Sequence, residues 1–115
     1  MPFTVERGSS ESGIEILTLN GRLTLGRELQ NLEWTVEEMI KSQKNRVVID
    51  MAGVSFIDSA GIGILVGCHG SLTRAGGDLR LAAVTERVSE VFSVTRVDSI
   101  LPLHPSAEEA VKAFG

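Results

Sequence analysis

The side chains with chemical potential gather in one short stretch, Asp58-Ser59-Ala60-Gly61-Ile62-Gly63. A hydroxyl follows a carboxylate where an apolar, glycine-containing segment begins, and that segment reads as a helix from about 59 to 75. A helix N-terminus carries unpaired N–H groups and a partial positive charge. A phosphate on Ser59 would be accommodated there and would add about two negative charges. The plainer reading of the same residues is that Asp58 or Ser59 caps the helix, and composition alone favours that reading.

Other chemistries fit poorly. Ile57-x-Ser59-x-Gly61 lacks the first glycine of a nucleophile elbow. His69 is the only histidine near it in sequence and lies on the same helix. Gly61-x-Gly63-x-x-x-Gly67 lacks the third-glycine spacing of a dinucleotide loop, and the strand ending near Ala83 offers no carboxylate for a ribose. Cys68 is the single cysteine, and His69 and His104 have no partners at metal-ligand spacing. No catalysis of its own, no cofactor and no metal are therefore expected.

The elements that must position Ser59 follow from hydropathy patterning. Phe3 and Val5 alternate with polar residues as a short strand, Gly8 to Gly13 make a turn, and Ile14 to Leu19 form a second strand closed by Asn20-Gly21. These two strands read as a hairpin. Thr24 is the candidate cap of a helix over 25–42, whose buried stripe is Leu25, Leu29, Leu32, Val36, Met39 and Ile40. Val47-Val48-Ile49 reads as a buried central strand, and 52–58 as a connector. Gly76-Gly77 stops the glycine-containing helix. A strand at 79–83 follows, then a short helix capped by Thr85, with Val88, Val91 and Phe92 inward. Asp98-Ser99 reads as a turn. Ile100 to Leu103 suits an edge strand because it holds Pro102, and Ser106-x-x-Glu109 opens a closing helix. The fold class is α/β: a single mixed sheet with an N-terminal hairpin, covered by about four helices, in one domain over 1–115.

Helix 59–75 is rich in glycine, holding Gly61, Gly63, Gly67 and Gly70, although an interior glycine costs about 1 kcal/mol relative to alanine. At 100° per residue, Ile62, Leu65, Cys68, Leu72 and Ala75 share the core face. Gly63, Gly67, Gly70 and Arg74 lie opposite, with Ser59 within about 40° of them and Val66 on the flank. Two readings stand: a docking surface for another protein's backbone, or close packing within the fold. Trp34 falls about 180° from the centre of its own helix's buried stripe. It meets a partner or another copy, or the helical phase is wrong and it lies under a loop.

Composition narrows the partners. With 11 Lys plus Arg against 15 Asp plus Glu, the net charge is −4, which argues against nucleic acid. The longest apolar run, Ile62 to Cys68, is far shorter than the roughly 20 residues a bilayer span needs. No signal peptide is visible, and a cytoplasmic location is expected.

Residues 48–63, Val48-Ile49-Asp50-Met51-Ala52-Gly53-Val54-Ser55-Phe56-Ile57-Asp58-Ser59-Ala60-Gly61-Ile62-Gly63, resemble the signature of the STAS family, the sulfate transporter and anti-sigma-factor antagonist domains. Asn20-Gly21-Arg22-Leu23, Gly76-Gly77-Asp78-Leu79, Val88 to Val97 and Ser106 to Phe114 extend the similarity along most of the chain. The resemblance implies an anti-sigma-factor antagonist controlled by phosphorylation. Ser59 would accept phosphate from a partner anti-sigma factor with serine kinase activity, and a serine phosphatase would reset it. Asp58, Ser59, Gly61, Gly63, Val66, Gly67, Gly70 and Thr24 would form the partner surface. Thr24 stands where many such antagonists carry Asp, so it can cap but supplies no charge. The alternative is a fixed STAS scaffold or accessory subunit, in a stress-signalling assembly or beside a membrane transporter. Oligomeric state stays open.

Overall fold

Val47, Val48 and Ile49 have no solvent exposure, the burial of a strand covered on both faces. In the computed structural model, which describes residues 3–114, they belong to β3 (Arg46–Ile57), the middle strand of one five-stranded sheet. Strands β1 (Thr4–Ser9) and β2 (Glu15–Leu23) form the expected antiparallel hairpin. Strands β2, β3, β4 (Asp78–Ala82) and β5 (Leu103–His104) run parallel, in the order β1-β2-β3-β4-β5. The helices are α1 (Arg27–Lys41), α2 (Ser59–Arg74), α3 (Glu86–Val94) and α4 (Ala107–Lys112), with a 3-10 turn at Val97–Ser99. The mixed α/β sheet with four helices is therefore as expected.

Helices α1 and α2 bury Leu29, Leu32, Val36, Met39, Leu65, Cys68 and Leu72 against the sheet in one large core that also takes in Val88 and Phe92 of α3. A smaller cluster of Ile14, Val48, Ala82 and Ala110 includes α4. Thr85 and Ser106 cap α3 and α4 as expected, accepting from the N–H groups of Val88 and Glu109.

Several boundaries depart from expectation. Strand β2 continues through Asn20-Gly21 to Leu23, and β3 absorbs most of the expected connector. Register shifts between Thr18 and Asn20, and between Gly21 and Arg22, keep the two strands paired to Leu23↔Ile57. These irregularities hide the strand's period of two from sequence reading. The chain turns over 10–13, not 8–13. There the Ser10 N–H donates to the Ile14 carbonyl at 2.8 Å, and Gly13 takes a positive φ of 83°. Thr24 is not the cap of α1; Gly26 is, without a side-chain hydrogen bond. The helix therefore starts two residues late, and Leu25, expected inside, is 81% exposed. Ala75, also expected inside, is exposed as the C-cap of α2. Strand β5 forms at 103–104 because the 3-10 turn occupies the chain just before Ile100.

Both sheet edges are short or guarded. Strand β5 pairs only with Leu81 and Ala82, and the Leu79 N–H donates to its neighbour Asp78 Oδ1 at 2.9 Å. Strand β1 is the other edge, and Arg7 on it bonds Glu15 Oε1 at 3.2 Å.

Candidate functional site

Strand β3 delivers the chain to the start of α2 with Asp58 in an extended conformation, and Ser59 is the first helical residue. Its side chain is exposed. Between the two capping candidates the structure selects Asp58, whose Oδ1 accepts the Gly61 N–H at 2.8 Å. Its Oδ2 accepts the Leu25 N–H at 3.1 Å, and its own N–H donates to the Leu23 carbonyl at 3.2 Å. One carboxylate thus ties the first turn of α2 to the loop between β2 and α1, 33 residues away in sequence. The Gly61 N–H is the main reason its carboxyl sits below the ordinary value of 3.8, with the Leu25 N–H adding to it and partial burial opposing. The group is ionised at neutral pH.

The four glycines of α2 separate. Gly61 is buried, and a Cβ there would strike the Leu23 carbonyl oxygen and approach Ile57 Cγ1 to 2.8 Å. A Cβ at Gly63 or Gly67 would meet nothing within 4 Å, so these face open space. One at Gly70 would meet only the far end of the Arg74 side chain, at 3.2 Å. Close packing within the fold therefore accounts for Gly61 and not for Gly63 or Gly67. Val66 is half-buried on the flank, packed against the core. Thr24, half-buried, lies in the loop beside Leu25.

Between the start of α1 and α2 runs an open apolar groove of about 310 Å³, lined by Leu25, Gly26, Leu29, Gln30, Glu33, Ala60 and Ile64. Ala60 of the lining follows Ser59 in sequence, so the groove begins one residue along the chain from Ser59, which does not itself line it. Sequence reasoning placed Leu25 in the core and missed this groove. The glycine at 26, which parts Leu25 from the helical stripe, was the available signal. Trp34 is 54% exposed on α1, so the helical phase was right and the ring does not lie under a loop.

Cys68 is buried as expected, and burial, with Glu33 and Glu37 adding to it, pushes its thiol up to about 12. The histidines have structural partners. His69 Nε2 lies 3.8 Å from Asp78, and His104 Nε2 is 3.0 Å from Arg80 Nη1. Among the described residues no group of three or more His, Cys, Asp or Glu is placed to hold a metal, and no helix is long and apolar enough to cross a membrane.

The STAS domain family model matches residues 10–110. A Thermotoga neapolitana relative, provisionally named an anti-sigma factor antagonist, is 27% identical over 86% of this chain and 88% of its own length. The Bacillus subtilis anti-sigma-B factor antagonist is 31% identical over 56% of this chain and 59% of its own. The solved structure of the Bacillus cell fate determinant SpoIIAA in its phosphorylated form superposes with a TM-score of 0.76 at 17% identity. That superposition covers 97% of this chain and all of the other, and at this identity it speaks to the fold.

Proposed function

This chain belongs to the STAS domain family, and from that premise we propose that it is an anti-sigma-factor antagonist switched by phosphorylation of Ser59. Unphosphorylated, it docks on an anti-sigma factor with serine kinase activity and frees a sigma factor. The kinase transfers the terminal phosphoryl group of ATP to Ser59 Oγ. The Oγ–P bond forms, the bond to ADP breaks, and the hydroxyl proton passes to the kinase. A serine phosphatase reverses the step by hydrolysis, and the exchange takes place in the cytoplasm.

The observation that carries this reading is the surroundings of Ser59. An exposed hydroxyl stands at the first turn of a helix, relieved of the capping role by Asp58. Beside it lie an apolar groove and a helix face left open at Gly63 and Gly67. Asp58, Val66, Gly70 and Thr24 complete the docking surface, and Gly61 supports it by letting α2 approach Leu23. Relatives named anti-sigma factor antagonists support the role. A phosphate at Ser59 adds about two charges to a surface whose partner must desolvate it, and the ionised Asp58 alongside raises that cost.

Among the described residues no histidine or other side-chain base is hydrogen-bonded to Ser59 Oγ, which supports reading the hydroxyl as a substrate. Purified alone with ATP and magnesium, the protein gains no phosphate. With the kinase-like partner added, intact-mass analysis shows one phosphate, on Ser59. Ser59→Ala keeps the partner, whereas Ser59→Asp weakens binding. Labelling without any partner, or equal binding by both variants, overturns the reading.

A further inference from the structure

The two arms of Asp58 belong to different elements, and this has a regulatory consequence that rests on the Ser59 switch. Oδ1 holds the Gly61 N–H of α2 and Oδ2 holds the Leu25 N–H of the β2–α1 loop. Leu25 is the large apolar side chain of the groove lining that stands mostly exposed, at 81%. We propose that Asp58 is a positioning residue that relays the phosphorylation state of Ser59 to Leu25. In the unphosphorylated protein its carboxylate fixes the loop with Leu25 presented beside the groove, and phosphate on Ser59 releases it.

Two effects of the phosphate act in the same direction. Its oxygens compete for the N–H groups of the first turn of α2, and the Gly61 N–H is one of these. Its charge also repels the carboxylate of the preceding residue, well inside the Debye length of about 8 Å at physiological ionic strength. The Leu25 arm is the weaker anchor, since its bond is longer than the Gly61 bond, 3.1 against 2.8 Å. Little else holds Leu25 itself: its side chain is 81% exposed, the neighbouring Thr24 N–H bonds only the nearby Arg22 carbonyl, and Gly26 caps α1 with backbone alone. A released Leu25 costs the domain little and costs the partner an ordered apolar contact. On this account the modified protein is a poor partner for two reasons, added charge and a disordered contact.

The test uses the protein alone, with phosphoserine installed at position 59 during translation, and reads backbone amide exchange by NMR at pH 7. Exchange at Leu25 rises on the order of tenfold in the phosphorylated protein, as expected for one lost charge-assisted hydrogen bond, while the amides of β3 are unchanged. Asp58→Ala gives the same rise without phosphate, and phosphoserine then adds nothing further at Leu25. Should that variant lose its fold with its cap, Asp58→Asn retains an acceptor without charge, and its response to phosphoserine is smaller than the parent's. Unchanged exchange at Leu25 in the phosphorylated parent, or an undiminished response in Asp58→Asn, overturns the relay. No partner is needed, so a failed relay with intact loss of partner binding leaves the switch standing, and the converse leaves the relay standing.

Discussion

The inner and outer faces of α2 use the same amino acid for opposite reasons. On the inner face Gly61 has no Cβ because the Leu23 carbonyl occupies its place. On the outer face Gly63 and Gly67 have none although nothing lies within 4 Å to forbid it. The inner glycine lets the helix start close to β2, which brings Asp58 within reach of the β2–α1 loop. The outer glycines cost helix stability and return nothing to the isolated domain. A residue that the fold does not require, at a cost of about 1 kcal/mol each, points to a use outside the fold. Geometry thus separates a glycine that the fold requires from two that it does not, where spacing could not.

The largest effect belongs to the inner face. Gly61→Ala forces a Cβ against backbone that has little room to move, and should destabilise the domain by about 3 kcal/mol, read from urea unfolding. A neutral result would mean that α2 can slide outward, and the contrast between the faces would vanish. Next comes Gly67→Leu, which should weaken binding of the kinase-like partner at least tenfold, about 1.4 kcal/mol, with the melting temperature nearly unmoved. Unfolding instead of lost binding would turn the outer stripe into internal packing.

Asp58→Ala removes a cap and should cost on the order of 1 kcal/mol at pH 7. The folded-state pKa of Asp58 lies below its ordinary 3.8. Its contribution is therefore complete above that value and fades as pH falls through the lower folded value. The stability gap between Asp58→Ala and the parent should close on acidification below about pH 4. A gap that persists there would assign the loss to something other than the ionised cap. The smallest effect has the opposite sign: Gly67→Ala should be neutral or raise stability by up to about 1 kcal/mol, and a clear loss would contradict the open space seen at that position.

The start of α2 was legible from sequence because its signals are local. Asp58 caps three residues ahead, and the run after Ser59 has helical spacing, so the expected 59–75 differs from the observed helix by one residue. The start of α1 was not. Thr24 has the chemistry of a cap, but the chain is still committed to β2 at Leu23, and the Leu25 N–H that follows donates to Asp58, 33 residues on. No window of neighbouring residues contains that information. The length of β3 was hidden similarly, by bulges that depend on how β2 lies against it. For the proposed site, the sequence named Asp58, Ser59 and the glycine-containing face, and the structure places Asp58 as the cap and Ser59 as the first residue of α2. The split within the stripe needed Leu23, and the apolar groove needed Leu25 on the outside.

The β1 edge has a consequence for self-association. Since Ser10 points its N–H toward β2, the odd residues Val5, Arg7 and Ser9 turn their backbone groups outward. A second copy adding antiparallel across that edge must match odd with odd and even with even. The two registers with greatest overlap then centre on Arg7 opposite Arg7 or Glu6 opposite Glu6, and like charges directly opposite are destabilising. The strand whose groups are free for another chain is thereby poorly matched to its own twin, a safeguard against filament growth written into two adjacent residues of opposite sign.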